Sequence, residues 1–206
     1  MHRETLWPIV CSYSANFCRH CHLERARKAP FVHPDIVSVS AERILAAIKG
    51  KLIVSCQASK GDPLDDLDTL RRLATSVLLG GAAGLRAEGQ QSVAAFRELT
   101  SLPIIGLVKT TDSNGDVYIT PSFAAAKSVS DAGADVIALD CTRRRLSEAE
   151  PWTKLIPRIQ SELGKVVCAD IATLEDALLA REAGTDIVAT TLRGYTPDTQ
   201  IGRAHV

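Results

Sequence analysis

The sequence has no long hydrophobic run and no net charge. Its apolar stretches are far shorter than the roughly 20 residues that a membrane helix needs, and the segment Leu6–Val10 is too short for a signal-peptide core. We therefore expect a soluble, cytoplasmic protein. Basic and acidic residues number 24 each, so the sequence does not predict the diffuse basic surface that binds nucleic acid or an anionic membrane.

The sequence also has little that would bind a metal or a dinucleotide. Cys18, Cys21 and His22 superficially resemble a ligand cluster, but no second CxxC or HxxxH follows at a useful spacing. No Gly-x-Gly-x-x-Gly follows the first predicted strand, which argues against the dinucleotide crevice of an open, doubly wound sheet. We expect no metal and no cofactor. Three further cysteines lie in or beside apolar runs and are predicted to be small core residues of a reducing compartment: Cys56, Cys141 and Cys168.

What the sequence does contain is a repeated βα unit. Short runs of branched apolar residues recur, each followed by a polar loop and a helical pattern, as expected for strands buried on both faces. The runs occupy 52–56, 83–86, 103–108, 136–139, 166–169 and 187–189. They begin roughly every 27 residues, so a seventh would fall at about residue 214, whereas a parallel barrel closes with eight units. The prediction is an α/β fold, an incomplete (β/α)8 TIM-type barrel with about six of its eight units.

Several helix ends are also readable. Asp62-Pro63 offers a cap and a first-turn proline, and predicts the start of a helix. Thr173 and Asp176 form an approximate capping box. The segments 132–135 and 183–186 both read Ala-Gly-x-Asp, which predicts the same helix end and tight turn before a strand.

Polar side chains follow every predicted strand. The catalytic face of a barrel lies at the C-terminal ends of its strands, so these side chains are candidate site residues. They are Gln57, Arg86, Lys109, Asp140, Asp170, Thr190 and Thr191. At any one position the residue can simply mark the return of the strand to water. Together, two cations, two carboxylates, an amide and two hydroxyls indicate a site for a polar, anionic small molecule.

Lys109 is the sharpest of these candidates, because it follows a largely apolar run and would share its cavity with Arg86. Desolvation and a like charge both favour the neutral amine, which can act as a general base or form a Schiff base. A carboxylate, from Asp140 or Asp170, would oppose that shift, so the sequence leaves its direction open. A structural lysine is the alternative.

At seven places the chain resembles the N-acylmannosamine-6-phosphate 2-epimerase family, in order and at its spacing, over about residues 41–200. The segments are Leu52–Ala58, Gly84–Ala87, Leu102–Lys109, Val117–Pro121, Ala134–Thr142, Ala169–Thr173 and Thr190–Thr196. The resemblance implies an isomerase that interconverts N-acetylmannosamine 6-phosphate and N-acetylglucosamine 6-phosphate by moving the proton on C2, in sialic acid breakdown. It implies a phosphorylated amino sugar as ligand, no metal or redox cofactor, and a homodimer for the full-length protein.

The resemblance also assigns roles to residues. Lys109 falls on the position of the catalytic lysine, and Gln57, Arg86 and Asp170 fall on other active-site positions. A family-typical motif adds three residues that we assign, with the two strand-end threonines, to substrate binding: Asp140, Thr142 and Arg144. Two other readings remain open. One is a Schiff-base aldolase or lyase on the same barrel, and the other is a non-catalytic fragment that binds sugar phosphate.

The two ends of the chain depart from the family. The partner acid of the family, a glutamate after strand seven, and most of its phosphate-binding loops would lie beyond Val206. Residues 201–206 equal a translation of a common sequencing adapter, so we expect a tail that the gene does not encode. Residues 1–40 lack family features and are expected to be an extension from a misassigned start. With strands missing, the polypeptide as written is expected to be poorly soluble and inactive.

Overall fold

The computed structural model describes residues 37–113 and 115–199, with the side chains of 37–40 left out. The cluster of Cys18, Cys21 and His22 and the tail at 201–206 lie outside the described residues. Within them, no helix is both long and apolar enough to cross a membrane.

A parallel sheet of six strands forms the centre of the molecule. Its strands are β1 (Ile53–Ser55), β2 (Gly84–Glu88), β3 (Ile104–Leu107), β6 (Val136–Asp140), β7 (Val166–Asp170) and β8 (Ile187–Ala189). All six predicted strands are confirmed. Their order in the sheet is β1-β2-β3-β6-β7-β8, the order of the chain. A doubly wound sheet reverses its strand order at a switch point, so this sheet is part of a barrel instead.

Helices precede and connect the strands; those that connect them cover one face of the sheet, and the helix that precedes the first strand packs against the other face. They are α1 (Val37–Ile48), α2 (Leu67–Leu79), α3 (Gly89–Arg97), α4 (Phe123–Asp131), α5 (Trp152–Leu163) and α6 (Leu174–Glu182), with 3-10 turns at Arg143–Arg145 and Pro197–Thr199. One connection differs from the βα pattern. Between β3 and α4 the chain forms an antiparallel hairpin, whose arms are β4 (Lys109–Thr111) and β5 (Val117–Ile119).

Alternate residues of each strand belong to two separate apolar clusters, as strand geometry requires. Leu85, Ile137 and Val167 face the helices, where they join a cluster that contains Phe96 and Trp152. A second cluster lies on the concave face of the sheet. Its members include Ile53, Ile105, Leu107, Val136, Ala138, Cys168 and Ile187. The concave face is therefore a packed barrel interior, and a polar side chain two residues beyond one of its members lies on the same face.

The predicted helix starts are half right. The capping box of α6 is confirmed, since the Thr173 side chain accepts from the Asp176 amide and the Asp176 side chain accepts from the Thr173 amide. The start of α2 at Asp62-Pro63 is wrong. The Asp62 carboxylate instead accepts from the Ser59 amide at 2.9 Å, and the helix begins after Asp66.

The two Ala-Gly-x-Asp segments, 132–135 and 183–186, have the same structural role, as predicted. Asp135 accepts from the amide of Ile104 at 2.9 Å, and Asp186 accepts from the amide of Val167 at 2.8 Å. Each glycine, Gly133 and Gly184, has the positive φ that a left-handed turn requires. Each turn thus ties the start of one strand to the start of its neighbour.

Candidate active site

A buried ion pair crosses the concave face of the sheet near the C-terminal ends of the strands. Arg86 of β2 donates two hydrogen bonds to Asp170 of β7, at 3.1 and 2.5 Å. The side chains are 6% and 0% exposed. Strands β3 and β6 lie between them in the sheet, so the contact requires a strongly curled sheet. Charged, bidentate bonds of this kind are strong and hold the guanidinium in one orientation.

A second buried carboxylate lies beside the first. Asp140 ends β6 and is in register with Asp170 at the end of β7. Its Oδ1 atom accepts from the amide and the hydroxyl of Thr142, at 3.0 and 2.6 Å. Its Oδ2 atom accepts from Arg144 Nη2 at 2.8 Å. Each of the two carboxylates is therefore matched with its own guanidinium.

Arg144 has further contacts with the β4–β5 hairpin. Its Nη2 atom donates to the Val117 carbonyl at 2.6 Å, and its guanidinium stacks on the ring of Tyr118, 4.2 Å from the centroid. Its Nε and Nη1 atoms are buried and have no hydrogen-bond partner among the described residues. Such donors can bind an oxygen atom of a ligand.

The three described cysteines are buried and form no disulfide, as predicted. Burial raises the pKa of Cys56 from 9.0 to about 11. The pKa of Cys141 is raised well above its ordinary value, first by burial and then by the charges of Asp170 and Asp140. A thiol with a raised pKa stays protonated at neutral pH and is a poor nucleophile. These side chains are therefore packing residues.

Lys109 is the first residue of β4, paired with Ile119 of β5. Its amide lies 3.5 Å from the carboxylate of Glu88, at the end of β2. Lys109 is exposed, so the desolvation expected from the sequence is not seen here. The reason is the hairpin, which leads the chain away from the sheet two residues after the buried Leu107.

The remaining candidates lie at the outer strands. Gln57 follows β1, is half-buried, and donates to the Ser55 hydroxyl at 2.8 Å. Thr190 is exposed. The hydroxyl of Thr191, two residues beyond the inward-facing Ala189, is buried without a partner among the described residues. The structure thus joins Arg86, Asp140, Thr142, Arg144 and Asp170 in buried contacts, and places Gln57, Lys109, Thr190 and Thr191 at the same ends of neighbouring strands.

Sequence reasoning missed two residues that support this region. Arg145 is fully buried and donates to the carbonyls of Asp140 and Pro121, at 3.1 and 2.7 Å. Thr120 is fully buried, with a φ of 49°. Neither role has a clear sequence signal, because three arginines follow Thr142 in a row and backbone conformation is not written in residue type.

A shallow cavity of about 540 Å³ lies elsewhere, on the outer helical layer beside α2. Its lining residues are Asp68, Arg71, Arg72, Thr75, Ser76 and Leu99. The strand ends are the better candidate site, because their charges are buried whereas most of this lining is exposed. No group of three or more His, Cys, Asp and Glu side chains in the described ranges is placed to hold a metal ion.

Comparisons of this chain with a family model and with curated proteins agree on one family. Residues 70–204 match the family model NanE, whose description is "Putative N-acetylmannosamine-6-phosphate epimerase". A curated protein of Synechococcus elongatus, named "Putative N-acetylmannosamine-6-phosphate 2-epimerase", is 46% identical over 157 residues, which are 76% of this chain and 68% of that protein. A protein of the same name from Cutibacterium acnes is 43% identical over 155 residues, 75% of this chain and 67% of that protein.

A solved structure is also similar. It is the N-acetylmannosamine-6-phosphate 2-epimerase of Clostridium perfringens, with a TM-score of 0.71 and 34% sequence identity. The superposition covers 85% of this chain and 73% of that chain. The six-stranded sheet of this chain therefore matches the architecture of that enzyme.

Proposed function

The chain belongs to the N-acetylmannosamine-6-phosphate epimerase family, and from this premise we propose that it interconverts N-acetylmannosamine 6-phosphate and N-acetylglucosamine 6-phosphate. The observation that carries the proposal is the buried Arg86–Asp170 pair at the C-terminal ends of the strands. A guanidinium fixed in a buried position can stabilise negative charge that develops on a substrate, without having to reorient during the reaction.

The reaction moves one proton on a carbon acid. The hydrogen on C2 of the open-chain sugar lies next to the C1 carbonyl. A base removes it, the electron pair moves into the carbonyl, and an enolate oxygen forms. An acid on the opposite face then donates a proton to C2, and the carbonyl is restored. Only protons change place, so the step needs no redox partner.

We assign the proton abstraction to Lys109 and the stabilisation of the enolate oxygen, or of a sugar hydroxyl, to Arg86. Asp170 holds Arg86 in place and, with Gln57, orients the amide and hydroxyls of the substrate. The buried network of Asp140, Thr142 and Arg144 supplies further substrate contacts, which the two unpaired nitrogen donors of Arg144 support. Thr190 and Thr191 would contribute hydroxyls from the last described strand.

We place this reaction in the cytoplasm, in the breakdown of sialic acid and related amino sugars, with a homodimer as the assembled form. The substrate class supports this role, because both sugars are phosphorylated amino sugars. Growth on sialic acid of a strain that carries this chain as its sole epimerase would test the role. Sedimentation of the purified protein would test the dimer.

The decisive test is incorporation of deuterium at C2 in heavy water. Lys109→Met removes the base and should lower kcat by roughly 100- to 10,000-fold. Lys127→Met removes a different exposed lysine, on α4 and paired with Asp131, and should leave kcat unchanged. If Lys109→Met exchanges C2 hydrogen as fast as the unaltered chain, the assignment is wrong. Borohydride trapping of substrate on Lys109 would point to Schiff-base chemistry instead.

The chain spans about two thirds of the length of the relatives named above. The assay is therefore run on the 206-residue chain and on the same chain extended by the part of the Synechococcus elongatus protein that lies beyond the match. A difference between the two tests the expectation that the 206-residue chain is inactive.

A further inference from the structure

The hairpin that carries Lys109 begins at a single irregular residue. Strand β3 ends at Leu107, and β4 begins at Lys109. Val108 lies between them and belongs to neither strand. The chain changes there from a parallel sheet to an antiparallel hairpin. The backbone conformation of Val108 therefore sets the direction in which Lys109 leaves the sheet.

Thr120 holds both polar groups of that residue. The Thr120 amide donates to the Val108 carbonyl at 2.7 Å, and the Thr120 hydroxyl accepts from the Val108 amide at 3.1 Å. Thr120 is completely buried, so water does not compete for these bonds. Hydrogen bonds in such surroundings are stronger than exposed ones and restrict the backbone more.

The backbone of Thr120 is strained. Its φ of 49° makes it the one non-glycine residue with a positive φ in the ranges 37–113 and 115–199. A β-branched residue rarely adopts that conformation, and it persists only where the surroundings enforce it. One enforcing contact is visible next to it, since the carbonyl of Pro121 accepts from the buried Arg145. Strain of this kind occurs mainly at functional sites.

The other arm of the hairpin is held too, through the contacts of Arg144 with Val117 and Tyr118. The hairpin is thus fixed at its base and on its side, and Lys109 is the residue next to the base. We propose that Thr120 is a positioning residue, which orients Lys109 toward the substrate through Val108. The proposal rests on the proposed function, because it gives Lys109 the role of the base.

Thr120→Val tests the proposal, since it keeps the shape and the β-branch but removes the hydroxyl that accepts from Val108. We expect kcat to fall roughly 10- to 100-fold, as for a misplaced catalytic group, with KM unchanged. Thr120→Ser keeps the hydroxyl and should retain most of the activity. Thr185→Val is the matched control. The hydroxyl of Thr185 also bonds to strand backbone, at the carbonyl of Val167, but at the opposite end of the sheet.

A second measurement needs no turnover and is made on the 206-residue chain. Amide hydrogen exchange of a peptide that contains residues 108–111 should quicken in Thr120→Val and stay unchanged in Thr185→Val. Turnover is measured on whichever of the two chain lengths described above is active. Unchanged exchange in Thr120→Val would overturn the proposal, and so would faster exchange with an unchanged kcat.

If Thr120→Val does not fold, a further substitution at the same position tests the proposal. Thr120→Gly removes the hydroxyl but relieves the positive φ, and its kcat should also fall. A folded Thr120→Gly with the kcat of the unaltered chain would refute the positioning role. Failure of this proposal can be told from failure of the proposed function. In the first case Lys109→Met is inactive while the Thr120 variants are fully active, and in the second Lys109→Met itself is active.

Discussion

Charged side chains stand at both ends of the six parallel strands, but they bind different partners at the two ends. At the N-terminal ends, Asp135 and Asp186 each accept from a strand amide. The ion pair of Asp135 with Arg97 is half-exposed, at 31% and 29%. At the C-terminal ends, Arg86 and Asp170 bind each other and are almost fully buried.

The charges at the N-terminal ends satisfy backbone groups and so stabilise the fold. The charges at the C-terminal ends are buried at a cost in lost hydration. An aspartate that accepts a backbone amide satisfies a group that burial would otherwise leave unpaired. A buried ion pair adds little stability over an apolar pair of the same size, because both ions lose their water. Buried ionisable groups that perturb one another are typical of functional sites. Under the proposed function, the two ends of one sheet therefore serve stability and chemistry separately.

The largest expected effect comes from breaking the buried pair. Arg86→Met leaves the Asp170 carboxylate buried without its guanidinium and should cost about 3–5 kcal/mol in the free energy of unfolding. Arg97→Met breaks the half-exposed pair at the other end and should cost about 1 kcal/mol or less. Urea denaturation measures both. Equal losses of unfolding free energy in the two variants would contradict the difference between the two ends of the sheet.

The double variant Arg86→Met with Asp170→Leu sharpens that result. It removes both charges, so most of the stability lost in the single variant should return. The rate of C2 exchange should not return with it. Recovery of both together would mean that the pair has no part in the chemistry.

A smaller effect is expected at the N-terminal end. Asp186→Ala leaves the buried amide of Val167 without its acceptor and should cost about 1–3 kcal/mol. The kcat for epimerisation should stay as it was, because the change lies at the end away from the site. A fall in kcat measured well below the unfolding temperature would contradict the division between the two ends.

The smallest expected effect tests whether catalysis depends on the buried charges alone or on any change at the C-terminal ends of the strands. Thr173→Ala removes the cap of α6 and should cost about 1 kcal/mol, measured again in urea. This cap follows β7 directly, at the substrate end of the sheet. If stability falls while KM and kcat stay constant, the chemistry depends on the buried charges and not on the whole end of the barrel.

The strands were predictable because burial on both faces leaves a continuous apolar run, as in residues 166–169 of β7. The cap of α6 was predictable because Thr173 and Asp176 have the required spacing. The start of α2 was not predictable, because several aspartates precede the helix. Asp66, not Asp62, caps it by accepting from the amide of Thr69. The hairpin was missed because its arms have three residues each, too few to establish a period.

The site was predictable to a similar extent. Polar residues at strand ends could be identified from the sequence, and three of them, Arg86, Asp140 and Asp170, are buried in the structure at neighbouring strand ends. Their pairing was not readable, because it depends on the curl of the sheet. The exposure of Lys109 and the positive φ of Thr120 depend on the hairpin, and so could not be predicted without it.

The Arg86–Asp170 contact crosses the interior between two strands that are far apart along the curved sheet. Three strand spacings of about 4.8 Å separate β2 from β7 along the sheet, yet the side chains of Arg86 and Asp170 meet through the interior. The bond therefore ties together two strands that are not neighbours in the sheet. The same two residues thus join those strands and place charge at the C-terminal ends of the sheet, so a substitution at either one alters both the contact and the charge.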